Sequence, residues 1–136
     1  MITTIIQASL EHLDDLAPLS DEYRVFYRQP SDPNSVKDFL KERLTKQDSI
    51  IYIAYINGVP VGFTQLYILF SSVSMRPMYI LNDLYINPNY QNKSVGTTLI
   101  DKVKALCKEK GHKGVLYLYK QKSPTLHNIY TNAKAL

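Results

Sequence analysis

The chain has 136 residues, 45% apolar and 21% charged, with a formal net charge of +4 from 16 Lys and Arg against 12 Asp and Glu. That length suits one domain spanning residues 1–136, able to bury a core without metals or staples, and Cys107, the single cysteine, excludes a disulfide framework or a zinc pattern. No apolar run reaches the roughly 18 residues of a membrane span, and the first ten residues lack the basic start and cleavage-like end of a signal peptide, so a cytoplasmic protein is expected.

Residues 3–9 alternate with β-branched side chains and predict a first strand. Ser9 then caps a helix, with His12 standing where a capping box takes Glu or Gln. Leu10, Leu13, Leu16 and Leu19, then Tyr23 and Phe26, recur at helical spacing until Pro30 and Pro33 end the region. A short second helix over about 35–45 carries Val36, Phe39, Leu40 and Leu44 on one side. The β-branched run 49–56 predicts a strand, the Asn57-Gly58 pair a tight hairpin turn, and 59–70 the returning strand. After a loop over 71–77, residues 78–86 predict another strand, broken by Asn87, Pro88 and Asn89. Leu99, Ile100, Val103 and Leu106 mark an amphipathic helix over 97–110, closed by Gly111, with Cys107 expected as a buried structural thiol. Residues 114–120 predict a fifth strand, and Ser123 and Pro124 the start of a last helix. The order β-α-α-β-β-β-α-β-α describes an α+β sandwich, not a doubly wound dinucleotide fold.

Chemistry concentrates in residues 81–100, LNDLYINPNYQNKSVGTTLI. A strand, a Pro-interrupted turn, a polar loop with Lys93, Ser94 and Gly96, and a helix start follow one another. Backbone N–H groups at a helix N-terminus converge on an anion, and the helix dipole helps. Glycine at 96 allows close approach of a ligand, and a pyrophosphate-bearing cofactor fits such a loop.

The stretch LYINPNYQNKSVGTTLI resembles the acetyl-CoA motif of the GNAT superfamily of N-acetyltransferases. Pro88, Gln91 and Gly96 match it, while Ser94 stands where the first glycine of G-x-G is expected and is strained if the backbone there needs positive φ. The element order extends the resemblance along the chain, and YILNDLYI with GFTQLYILF is closest to the small polyamine, amino-acid and histone N-acetyltransferases. The resemblance implies a GNAT-type three-layer α/β/α sandwich with a mixed, mostly antiparallel sheet. It implies acetyl-CoA as co-substrate and direct attack by a primary amine of a small molecule; a homodimer is expected separately, from the sheet edge and apolar surface that loss of the last two strands would expose. Leu84, Tyr85 and Ile86 would then lie along the pantetheine arm. Gln91, Asn92, Lys93, Ser94, Val95, Gly96 and Thr97 would hold the pyrophosphate, with Ser123 replacing a common Asn further on.

Transfer to an amine needs a neutral nucleophile and a proton for the leaving thiolate. The family often supplies that proton from a tyrosine in the last helix, where SPTLHNIYTNAKAL places Tyr130. A base or water-holding group often comes from the fourth strand, where Asn82 and Asp83 are the candidates; alternation lets only one face the cleft. Tyr23, Arg24, Tyr27 and Arg28 lie where an acceptor site would be shaped and suit a carboxylate-bearing amine, or form a surface cluster. Two other readings compete. One is a catalytically inactive acyl-CoA-binding or interaction module. The other is a nucleic-acid-binding protein using the lysine-rich second half, with Tyr117 and Tyr119 beside Lys120; strand tyrosines are more simply core, so neither nucleic acid nor membrane is expected as a partner.

Relatives usually continue past the tyrosine through a Gly-Phe pair into two more strands, so the sheet is expected to lack its last two strands. Residues 126–136 can be back-translated so that a shifted reading frame gives AQYLYERKGF, close to the family ending A-x-x-L-Y-E-x-x-G-F. A frameshift near residues 120–122 is therefore expected in the gene. Its nucleotide sequence checks this: no alternative frame encoding that ending would end the idea.

Overall fold

Ile51 and Ile53 pack on one side of a strand while Tyr52, Ala54 and Ile56 pack on the other, so alternation along one segment sorts the core into two layers. The computed structural model describes residues 2–91, 93–112, 114–118 and 129–131. Among these, β1 (Thr3–Gln7), β2 (Ile50–Ile56), β3 (Val59–Ser71), β4 (Arg76–Ile86), β5 (Val115–Leu118) and β6 (Ile129–Thr131) lie side by side in sequence order. Neighbours are antiparallel except β4 and β5, which are parallel. Helices α1 (Leu13–Phe26) and α2 (Pro33–Lys46) cover one face through Leu16, Leu19, Val36 and Leu40. Helix α3 (Val95–Lys110) covers the other through Val95, Leu99, Val103 and Cys107. This is the three-layer α+β sandwich with a mixed, mostly antiparallel sheet that the sequence predicts.

Local chemistry sets the element ends. The His12 ring Nδ1 accepts the Ser9 backbone N–H at 3.0 Å, so histidine takes the part of the expected capping-box acid. Asp32 caps α2, accepting the Ser35 N–H at 3.2 Å, with Pro33 in the first turn. Asn57 and Gly58 have φ of 52° and 77°, the two positive values a tight primed hairpin turn needs. Gly111 closes α3 at φ 65°. Cys107 is fully buried, and burial pushes its thiol up to about 11, so it is a packing residue and not a nucleophile at neutral pH.

One element differs from expectation. Tyr130 was expected in a last helix, yet it lies in β6, with its backbone paired to Tyr117 of β5. Ile129, Tyr130 and Thr131 are β-branched or aromatic, types that suit a pleated strand better than a helix.

Two strands come unusually close at Gly62. A Cβ there would meet the Tyr85 carbonyl oxygen at 2.7 Å and Ile86 Cδ1 at 2.8 Å. Gly62→Ala is therefore expected to lower unfolding stability by about 1–3 kcal/mol, read as a lower urea midpoint. An unchanged midpoint would mean that β3 and β4 part without penalty.

Candidate active site

The register between β3 and β4 slips at one place. Gln65 faces Asp83 and the next residue, Leu66, faces Leu81, which leaves Asn82 as an extra residue in β4. A β-bulge of this kind resets the alternation of the strand. Tyr79 and Leu81 point into the α3 face, but after the bulge Leu84 and Ile86 take that face and Tyr85 turns toward α1. The sequence expectation that only one of Asn82 and Asp83 faces the cleft is thereby corrected: both line the same cavity.

That cavity, about 380 Å³, lies between α1, α2 and the sheet. Its polar centre is the Asp83 carboxylate. Gln65 Nε2 donates to Asp83 Oδ2 at 3.0 Å, and Asn82 Nδ2 donates to the same oxygen at 3.1 Å. Ser49 in turn donates to Gln65 Oε1 at 3.1 Å, and Thr64 Oγ1 donates to the Asp83 carbonyl at 2.8 Å. The Tyr23 hydroxyl also bonds Asp83; burial and then the Asp83 charge push its ionisation far above the usual tyrosine range, so it stays a donor. Tyr67, from β3, is pushed up to about 12, by burial first and Asp83 next. Arg24 of α1 reaches the cavity and also donates to the Pro30 carbonyl at 3.0 Å. Phe63, Val36 and Phe39 add apolar wall.

Gln65 was not singled out as a site residue by the sequence. The signal was there: Thr64 and Gln65 interrupt the apolar run of β3, both are buried, and buried polar groups need partners. Of the acceptor-side residues, Tyr23 and Arg24 line the cavity, whereas Tyr27 packs edge-on against Tyr23 at 4.9 Å and Arg28 is exposed at φ 64°.

The other half of the site lies along β4. Residues Tyr79, Ile80 and Leu81 pair with Val115, Leu116 and Tyr117, and among the described residues 82–86 have no partner on that side. The strand thus parts from β5 where Leu84, Tyr85 and Ile86 were expected to run along a pantetheine arm. Helix α3 opens beside this edge, with Gly96 against Ile86. Ser94 precedes the helix at φ 63°, the left-handed value that favours glycine, and its side chain makes no capping bond. Lys93, Ser94 and Thr97 are exposed there, the Val95 side chain is buried, and Gln91 closes a single 3₁₀ turn with its N–H on the Pro88 carbonyl. Gly96 has an ordinary negative φ, and an added Cβ would meet only Ile86 Cγ1, at 3.9 Å. Among the described residues nothing requires glycine at this position.

Asn92 and Ser123 lie outside the described residues. Tyr130 lies in β6, next to β5 and one strand removed from β4. Among the described residues no group of acidic, His and Cys side chains could hold a metal, and no helix is long and apolar enough to cross a membrane.

The profile of the Acetyltransferase (GNAT) family matches residues 15–130. The chain belongs to the GNAT acetyltransferase family. It is 46% identical over 109 residues to an uncharacterized N-acetyltransferase, YhfO, of Bacillus subtilis strain 168, covering 80% of this chain and 73% of that protein. The crystal structure of a probable acetyltransferase superposes with a TM-score of 0.81 at 39% identity, over 84% of this chain and 77% of the other. A predicted acetyltransferase from Clostridium acetobutylicum, solved with acetyl-CoA, shares the fold at a TM-score of 0.71 and 10% identity, covering 86% and 80% of the two chains. The enzyme class read from the sequence, an N-acetyltransferase, stands with these GNAT relatives.

The Gln65 amide ties Ser49, just before β2, to Asp83 of β4. Gln65→Leu leaves Ser49 and Asp83 each short of a partner and is expected to lower stability by about 1–3 kcal/mol. A urea midpoint equal to the parent's would show that solvent replaces the amide freely.

Proposed function

We propose that this chain transfers the acetyl group of acetyl-CoA to a primary amine of a small molecule held against Asp83. The observation that carries the reading is the meeting of two features at the bulge in β4. Among the described residues one side of 82–86 is an unpaired strand edge beside the start of α3; the other is a cavity holding a hydrogen-bonded carboxylate.

The chain's own groups fit acetyl-CoA. The open edge at Leu84, Tyr85 and Ile86 offers backbone N–H and carbonyl groups to a pantetheine arm. The uncapped first turn of α3, with Lys93 beside it, offers N–H donors and positive charge to a pyrophosphate. Gly96, which no described neighbour requires, keeps that surface open. Bound acetyl-CoA supplies a thioester whose carbonyl carbon bonds the amine nitrogen as the C–S bond breaks. Asp83 draws in the acceptor's ammonium and takes its proton, directly or through a water held with Asn82, so that the nitrogen lone pair is free to attack. The leaving thiolate takes up a proton from solvent. Donors from Gln65, Asn82 and Tyr23 fix the carboxylate's direction.

A homodimer, also proposed, is supported by apolar exposure at the far end of the β3–β4 hairpin, where Phe70 is 74% and Val73 96% exposed.

Acetyl-CoA at about 100 times its Kd is expected to add roughly 2.7 kcal/mol to stability, a rise in Tm of roughly 5–10 °C for a domain of this size. Gly96→Ala should melt like the parent without ligand and lose most of that rise. Thiol release on adding amines then reads the transfer. A Tm rise with no thiol released by any amine would leave an inactive acyl-CoA-binding module; no rise at all would remove the cofactor site.

A further inference from the structure

The cavity that holds Asp83 is nearly balanced in charge. Its lining has one carboxylate, Asp83, and one guanidinium, Arg24; the remaining polar groups are neutral hydroxyls and amides. The tyrosines do not alter this, because Tyr23 and Tyr67 are both pushed above their ordinary ionisation range and stay protonated at neutral pH. We infer that the acceptor is a small amine that also carries a carboxylate, its ammonium on Asp83, its anion on Arg24, and its apolar body against Phe63 and Val36. This rests on the transferase reading above and names the substrate class of the same site.

Three arguments converge. A polycationic acceptor would leave most of its charges without a counter-charge and bring at least one near Arg24, where like charges repel. Arg24 is placed for an anion: one N–H is tied to the Pro30 carbonyl at 3.0 Å, which anchors the planar group and leaves other donors of the fork for a carboxylate. Gln65 and Asn82 both donate to Asp83 Oδ2 and the Tyr23 hydroxyl bonds the same carboxylate; an ionised carboxylate has about four acceptor positions, so one remains for an ammonium. The volume, about 380 Å³, is at the small end for ligand sites and suits a single amino acid or a molecule little larger.

The test reads binding, not turnover, by calorimetry on the full chain with and without acetyl-CoA. The probes are L-phenylalanine against 2-phenylethylamine, L-leucine against isopentylamine, and spermine. Each amino acid should bind roughly ten- to hundredfold more tightly than the amine lacking its carboxylate, and spermine more weakly than either acid. Arg24→Gln should collapse that ratio toward one, and Asp83→Asn should weaken all four amines of the two pairs. The inference is overturned if spermine binds best, if Arg24→Gln leaves the ratio unchanged, or if none of the probes binds a protein whose Tm acetyl-CoA raises. Amino-acid binding with no acetylated product would instead sink the transferase reading and leave the ligand class standing.

Discussion

The site depends on one extra residue. Were β4 a regular strand, Asp83 would follow Tyr79 and Leu81 into the α3 face and meet the apolar side chains of Val95 and Leu99, where an unpaired carboxylate is very unfavourable. The bulge at Asn82 turns it to the other face, among Gln65, Asn82 and Tyr23, which satisfy it. The same step carries Leu84 and Ile86 to the α3 side, where they complete the core. Position of the carboxylate and packing of the strand end are thus one structural decision.

A second consequence is the parting of β4 from β5. Among the described residues the parallel pair stays together for three residues, and 82–86 then have no strand partner on that side for backbone groups that a sheet would ordinarily satisfy. Ser94 adds local strain, since a non-glycine residue in the left-handed region costs on the order of 1 kcal/mol or more. Both features persist because the surroundings hold them. Val95 and Leu99 anchor the start of α3 in the core, and Gly62 lets β3 press against β4 just behind the opening. The strand edge at 82–86 and the strained turn at Ser94 lie side by side, which fits the proposed acetyl-CoA site.

The elements themselves were legible in the sequence because each has a local cause. Periodicity marked α1, α2 and α3, the Asn57-Gly58 pair marked the β2–β3 turn, and the phosphate-loop spacing marked the join of β4 to α3. The bulge was not legible, because it is a property of two strands in register, and alternation within β4 alone predicts the opposite face for Asp83. The helical reading of Tyr130 itself failed for a related reason: its β-branched neighbours suit a strand, and pairing with β5 is a property of two strands that no upstream helix-start signal reports. Gln65 could have been found, since an amide in the middle of a buried strand must be bonded to something.

The abundance of tyrosine, 11 residues with no tryptophan, acquires a role in this setting. Tyr23 and Tyr67 both line the cavity, and each brings an apolar ring that carries a hydroxyl. In a low-dielectric site beside a carboxylate a phenol holds its proton more firmly, so these groups donate and do not compete with Asp83 as anions. A phenylalanine at 23 would keep the wall but remove a donor from the carboxylate. A histidine would bring a second group able to change charge near neutral pH. Tyrosine alone lines the cleft with rings while leaving Asp83 as its one negative charge, and the balance between that charge and Arg24 can then be read by a ligand.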